Sequence, residues 1–123
     1  PWPPRGLGRL VTAPRVVTWS DLPEEAVLPG ITRAVLHGDR QTLVRYRHQP
    51  GAILPERSHP EEQASAVLSG RIAFVVAGVR RKLGPGDVAL IPGGVPHGAG
   101  VVVDEAVETL NALSPRRGTA PSF

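Results

Sequence analysis

Glycine and proline each occur 14 times in the 123 residues, and they recur along the whole chain rather than in one linker. Together that is about twice the usual share of the two residues. An interior glycine costs a helix about 1 kcal/mol and a proline about 3 kcal/mol, so long helices are excluded. Punctuation at this density fits short strands joined by tight turns, an all-β fold. The length suits one domain with a core of its own. With no cysteine, the chain has no disulfide framework, no zinc–thiolate site and no thiol nucleophile.

Residues 1–14 (PWPPRGLGRLVTAP) follow no period and read as an extended N-terminal arm, with Trp2 to anchor it to the barrel or to a partner subunit. From Arg15 the apolar period is two. Residues 15–19 read as a first strand, and Ser20 or Asp21, with Glu24 and Glu25 beyond, would cap one short helical turn. Strands at 32–36 and 41–48 flank the turn His37-Gly38-Asp39-Arg40. In the second, Thr42, Val44, Tyr46 and His48 share one face, and Leu43, Arg45 and Arg47 the other, solvent, face. His37 and His48, both beside turns, read as solvated rather than ligating, and Trp19 and Tyr46 as packing aromatics. Further strands are expected at 64–68, 72–77, 79–83, 88–91 (buried), 101–103 and 106–113. Residues 15–115 would form the domain and 116–123 a basic tail. Eight to ten strands with little helix suit a sandwich or a small closed barrel.

The net charge is +3, with thirteen arginines and one lysine, Lys82. The arginines are scattered from Arg5 to Arg117, and the adjacent sets Arg80-Arg81-Lys82 and Arg116-Arg117 have no interleaved aromatics. A nucleic-acid footprint needs a clustered face, so no nucleic-acid partner is expected. No apolar run approaches the roughly 20 residues of a membrane-spanning helix, and the expected compartment is the cytoplasm.

Two segments share a regular spacing. Gly51, five residues, Arg57, one residue, His59, three residues, Gln63, six residues, Gly70 is the first; Gly86, five residues, Pro92, one residue, Gly94, two residues, His97 is the second. Positions 57 and 59 lie two apart on a strand and so face one way, into the interior. A turn at Pro92-Gly93-Gly94 would project His97 into the same cavity, a cluster that suits a divalent transition metal. The pattern closely resembles the two motifs of the cupin superfamily, Gly-x5-His-x-His-x3,4-Glu-x6-Gly and Gly-x5-Pro-x-Gly-x2-His-x3-Asn, over roughly residues 30–115. The resemblance implies a single-domain cupin β-barrel, or jelly roll, and Ser58-His59-Pro60-Glu61-Glu62-Gln63 looks like the subgroup whose glutamine oxygen is a metal ligand. The implied ligands are His59, Gln63 and His97, for zinc, iron, nickel, manganese or copper.

Arg57 stands where the superfamily has its first histidine, and Val101 where it has asparagine. A guanidinium stays protonated and cannot coordinate a cation, and its charge weakens any metal there unless Glu62 or Glu56 offsets it. It can instead clamp a carboxylate or an oxyanion. The sequence also resembles polyketide cyclases of the tetracenomycin type and sugar-acid ring-opening cupins. The resulting expectation is a cyclase, isomerase or lyase moving a proton beside the carbonyl of a small polyketide-like or acidic substrate. Arg57, His59 and His97 would be catalytic, with Arg57, Glu62, Tyr46 and Phe74 binding substrate between pocket walls that include Val67 and Ile72. A non-catalytic barrel recognising an anionic ligand and a metal-dependent dioxygenase are the alternatives. A homodimer is expected, because an extended arm and a β-rich barrel leave edges to cover.

Overall fold

The computed structural model describes residues 13–101 and 105–117. It is a jelly roll of two antiparallel sheets, with ten strands among these residues. In chain order they are β1 (Glu25–Leu28), β2 (Ile31–His37), β3 (Thr42–His48), β4 (Ile53–Arg57), β5 (Glu62–Ser69), β6 (Ile72–Val76), β7 (Val79–Leu83), β8 (Val88–Ile91), β9 (His97–Val101) and β10 (Val107–Ser114). One sheet runs β1-β2-β3-β10-β5-β8 and the other β4-β9-β6-β7. The last strand therefore lies in the middle of the larger sheet, between β3 and β5.

Alternation decides which side chains turn inward. In β3, Thr42, Val44, Tyr46 and His48 are buried while Arg47 is exposed, as the period of two predicts. In β10, Val107, Thr109, Asn111 and Leu113 are buried. Between the sheets the core is Ile31, Val44, Val67, Ile72, Phe74, Ile91, Val107 and Leu113. Removing such side chains to alanine costs about 2–5 kcal/mol each. Polar Thr109 and Asn111 sit among them, which requires that they find hydrogen bonds inside.

Four expectations are corrected. Residues 15–18 pair with no strand; Thr18 and Trp19 instead begin a 3-10 turn, Trp19–Asp21, closed by backbone bonds to their carbonyls and by no side-chain cap. The ring of Trp19 lies against Arg45, with the guanidinium carbon 5.5 Å from its centroid. The strand at 88–91 is not buried: it is a sheet edge on which Val88 and Leu90 are 62% and 65% exposed. The ninth strand starts at His97, earlier than expected, because Gly98 and Gly100 are part of the β4–β9 and β6–β9 ladders. The fourth correction is the tail, which folds back at least to Arg117, a residue 9% exposed. The expected arm at 1–12, the strand at 102–103 and residues 118–123 lie outside the described residues.

The turn at Ser69-Gly70 shows how tightly the chain is drawn. Gly70 has φ +76°, and a Cβ there would stand 2.2 Å from the Ala106 carbonyl oxygen. Gly78 has a similar φ, +79°, but open space around it. Gly78→Ala should therefore cost only the left-handed backbone penalty, about 1–2 kcal/mol. Gly70→Ala should lose clearly more, about 3 kcal/mol, because backbone must also move. Urea unfolding of the two variants checks this, and equal losses would show that the contact with Ala106 does not constrain the turn.

Candidate functional site

The site forms where the ends of β4 and β9 meet the start of β5. Arg57 and His97 are direct cross-strand partners, so they share a face, and both line the interior cavity. His59 lies beyond the end of β4, so strand alternation does not aim it. The 92–95 turn does. The Gly94 N–H donates to the His59 carbonyl at 2.8 Å, and a Cβ on Gly93 would meet the Pro60 carbonyl oxygen at 2.2 Å. Only glycine permits that approach, and through it the second motif seats on the first. The rings of His59 and His97 end 4.8 Å apart, edge to face at 78°.

A buried chain of hydrogen bonds fixes what Gln63 presents. The Val44 carbonyl can only accept, so Asn111 turns its Nδ2 to it at 3.2 Å, and the same amide nitrogen donates to Thr109 Oγ1. Asn111 Oδ1 therefore faces Ser65, whose hydroxyl donates to it at 2.6 Å. With its proton so placed, Ser65 Oγ accepts from Gln63 Nε2 at 2.8 Å. Gln63 is left with Oε1 toward His59 Nε2, 2.9 Å away. The other ring nitrogen, Nδ1, is 3.0 Å from the Glu61 carbonyl oxygen and 3.4 Å from its carboxylate. Both nitrogens of His59 thus meet acceptors.

His97 is fixed differently. Its Nδ1 is 3.0 Å from the Val95 carbonyl, which can only accept, so the proton sits on Nδ1 and the lone pair on Nε2. Burial lowers its pKa; the Val95 hydrogen bond opposes this, and His59, Arg57 and Arg117 add to it. The ring is therefore neutral near pH 7. Burial also lowers the pKa of Arg57, with Tyr46 opposing and the Arg117 and Arg33 charges adding to it; a guanidinium remains charged regardless.

The cavity is narrow, about 20 Å³, and its wall includes Tyr46, His48, Arg57, Gln63, Phe74, His97 and Arg117. Arg117 donates its backbone N–H to Thr42 Oγ1 at 3.1 Å and its Nε to Glu61 at 3.3 Å. Glu61 thus touches both Arg117 and His59. Two guanidiniums share the cavity with this one carboxylate beside them.

Of the expected site residues, Arg57, Gln63, His97, Tyr46 and Phe74 come together in the cavity wall. His59 touches Gln63 and His97 but does not line the cavity. Glu62 is exposed, turned out by the alternation of β5; Glu61 takes the inward place instead. Ile72 lines the wall, whereas Val67 packs in the core without reaching it. His37 stays apart, at the end of β2 and bonded to Thr42 Oγ1. His48, expected to be solvated, is 3% exposed and lines the cavity. Arg117, Asn111 and Ser65 were missed. The alternation of β5 and β10 was a usable signal for Ser65 and Asn111, whereas Arg117 lies past the last strand, where no period applies.

Among the described residues no three His, Asp or Glu side chains gather as a metal cluster. The donors that converge are His59 Nε2, Gln63 Oε1 and the bare Nε2 of His97. Two imidazoles and an amide oxygen fit a divalent transition metal once the His59–Gln63 hydrogen bond at 2.9 Å is given up, held without a carboxylate and against the Arg57 charge. Arg57→His removes that charge and adds a donor, so zinc affinity measured by calorimetry should rise about tenfold or more. An unchanged or weaker affinity would mean that position 57 is not part of a metal site.

Burial pushes the His48 pKa from 6.5 down to about 4. Between those values the unfolded chain binds a proton that the folded one does not. Stability should therefore be flat above about pH 7 and fall by roughly 3 kcal/mol as pH drops from 6.5 to 4. Urea midpoints at pH 7 and 4.5 test this, and His48→Leu should remove most of that slope. A wild-type midpoint that does not move, or a slope the substitution leaves intact, would contradict it.

The family model described as a cupin domain matches residues 44–113. No curated protein sequence matches the chain. Among solved structures the chain is similar to KdgF from Halomonas sp., with 27% identity and a TM-score of 0.75 over 80% of this chain and 91% of that one. An RmlC-like cupin from Shewanella frigidimarina is similar at 24% identity and a TM-score of 0.79, covering 86% and 95% of the two chains. The polyketide cyclase RemF from Streptomyces resistomycificus aligns at 24% identity and a TM-score of 0.73, over 89% and 85%. The last two likenesses carry the fold alone.

Proposed function

The chain belongs to the cupin domain family, and from that premise we propose that it is a small-molecule enzyme moving a proton beside the carbonyl of a small acid inside the barrel. One observation carries this reading: Arg57 and Arg117 share the cavity wall with His97, whose only unprotonated nitrogen is Nε2. A carboxylate or a developing enolate is stabilised by the two guanidiniums, whose forks match paired oxygens. His97 Nε2 is then the general base, since neutral imidazole accepts a proton at the pH where it works. His59 is a positioning residue, packed edge-on against His97. A divalent metal held by His59, Gln63 and His97 would supply Lewis-acid polarisation of the carbonyl and would occupy the Nε2 lone pair, so His97 is the base in the metal-free site. Tyr46 and Phe74 form the walls. We further read the protein as a cytoplasmic homodimer, which would cover the exposed apolar edge at Val88 and Leu90.

Exchange of the C3 protons of 2-oxobutyrate in D2O, followed by NMR, tests the reaction without the natural substrate. The wild type should catalyse exchange, His97→Ala should lose about 100-fold or more, and Arg57→Lys, which keeps charge but not the planar fork, about tenfold. Binding of 2-oxo acids with no exchange above background would favour instead a non-catalytic barrel that recognises anions.

A further inference from the structure

We propose that His48 is a ligand-recognition residue at the inner end of the cavity, where its imidazole hydrogen-bonds a hydroxyl or carbonyl oxygen of a small acid whose carboxylate lies on Arg57 and Arg117. This deepens the reading given above and rests on it for the carboxylate end only.

His48 closes β3 at 3% exposure and lines the same cavity as Arg57 and Arg117. Its strand partners are Ile31 and Val107, each 1% exposed, so it is set in a hydrocarbon row. Its Nδ1 is buried and has no hydrogen-bond partner among the described residues. The neighbouring inward residue is Tyr46, with ring centroids 5.9 Å apart, and Tyr46 is in turn within electrostatic range of Arg57. Guanidinium, phenol and imidazole therefore stand in one polar file that ends at a nitrogen unmatched among the described residues.

Buried polar atoms in folded proteins are overwhelmingly hydrogen-bonded. A side chain such as leucine would fill this place without the penalty of an unmatched nitrogen, as Ile31 and Val107 do beside it. An unmatched donor or acceptor on a residue that lines a cavity is the kind of group that orients a ligand. Burial holds the ring neutral, with a pKa of about 4, so its counterpart is an uncharged oxygen. The carboxylate belongs to the cationic end. The narrowness of the cavity limits the ligand to a short chain, for which the wall must open beyond the 20 Å³ of free space it shows.

Butyrate and 4-hydroxybutyrate differ only in the group in question, and both can be titrated into the full chain with histidine-selective 15N spectra as readout. The hydroxy acid should bind about fivefold more tightly and shift His48 Nδ1. His48→Leu, which removes an unmatched polar group and so should fold, should bind both acids alike, and His48→Asn should keep part of the preference. Equal wild-type affinities, or a preference that survives His48→Leu, would overturn the proposal. If neither acid binds, or binding ignores Arg57→Gln, the anion clamp has failed. 1,4-Butanediol then decides the role of His48: movement of Nδ1 upholds recognition of an uncharged oxygen, and a stationary signal overturns it.

Discussion

The hydrogen-bond chain that ends at His59 is referred to one fixed point, the carbonyl oxygen of Val44. Because it can only accept, Asn111 must give it Nδ2, and the orientation then propagates through Ser65 and Gln63 to His59. A hydrogen-bond chain in a low-dielectric interior has few alternative states, since reversing one member leaves two acceptors face to face. The oxygen that Gln63 offers is thus decided on a strand remote in sequence from its own. Residues that touch neither cavity nor ligand can govern the chemistry of those that do.

The second constraint is charge. The cavity wall contains two arginines, and the carboxylate of Glu61, which one of them meets, is also engaged with His59. Arg33, which faces inward from β2, is balanced by Glu25 at 2.7 Å. A surplus of buried positive charge lowers the basicity of His97 and favours any anion small enough to enter. Replacing one histidine of the family motif by Arg57 therefore changes more than the number of metal donors. It also places a fixed positive charge in the cavity wall.

Much of this was legible in the sequence, and the reasons differ between residues. The ladder strands were readable because alternation of apolar residues reports burial directly, as in β3. Arg57 and His97 were readable because glycine and proline spacing fixes where a chain must turn, and Gln63 through the resemblance of its motif. Glu61 and Glu62 were not separable, since whether β5 begins inward or outward depends on the turn before it. His48 was on the correct face yet assigned to solvent, because a residue beside a turn is ordinarily wet and only the packing of Ile31 and Val107 buries it. Arg117 had no local signal at all. Its place follows from the contacts of Glu61 and Thr42, which are made only after the sheets have closed.

The position of β10 has a consequence for how the molecule comes into being. It joins β3 to β5 in the middle of the six-stranded sheet, and its register partners run from Thr42 to His48 on one side and from Glu62 to Ser69 on the other. Pairings so distant in sequence carry a large loop-closure cost and make folding slow. During synthesis the earlier strands must wait, with edges unpaired, until residues 107–114 have left the ribosome. A nascent chain that stalls before Val107 has neither a closed sheet nor Asn111, and is at that moment most exposed to association with its neighbours.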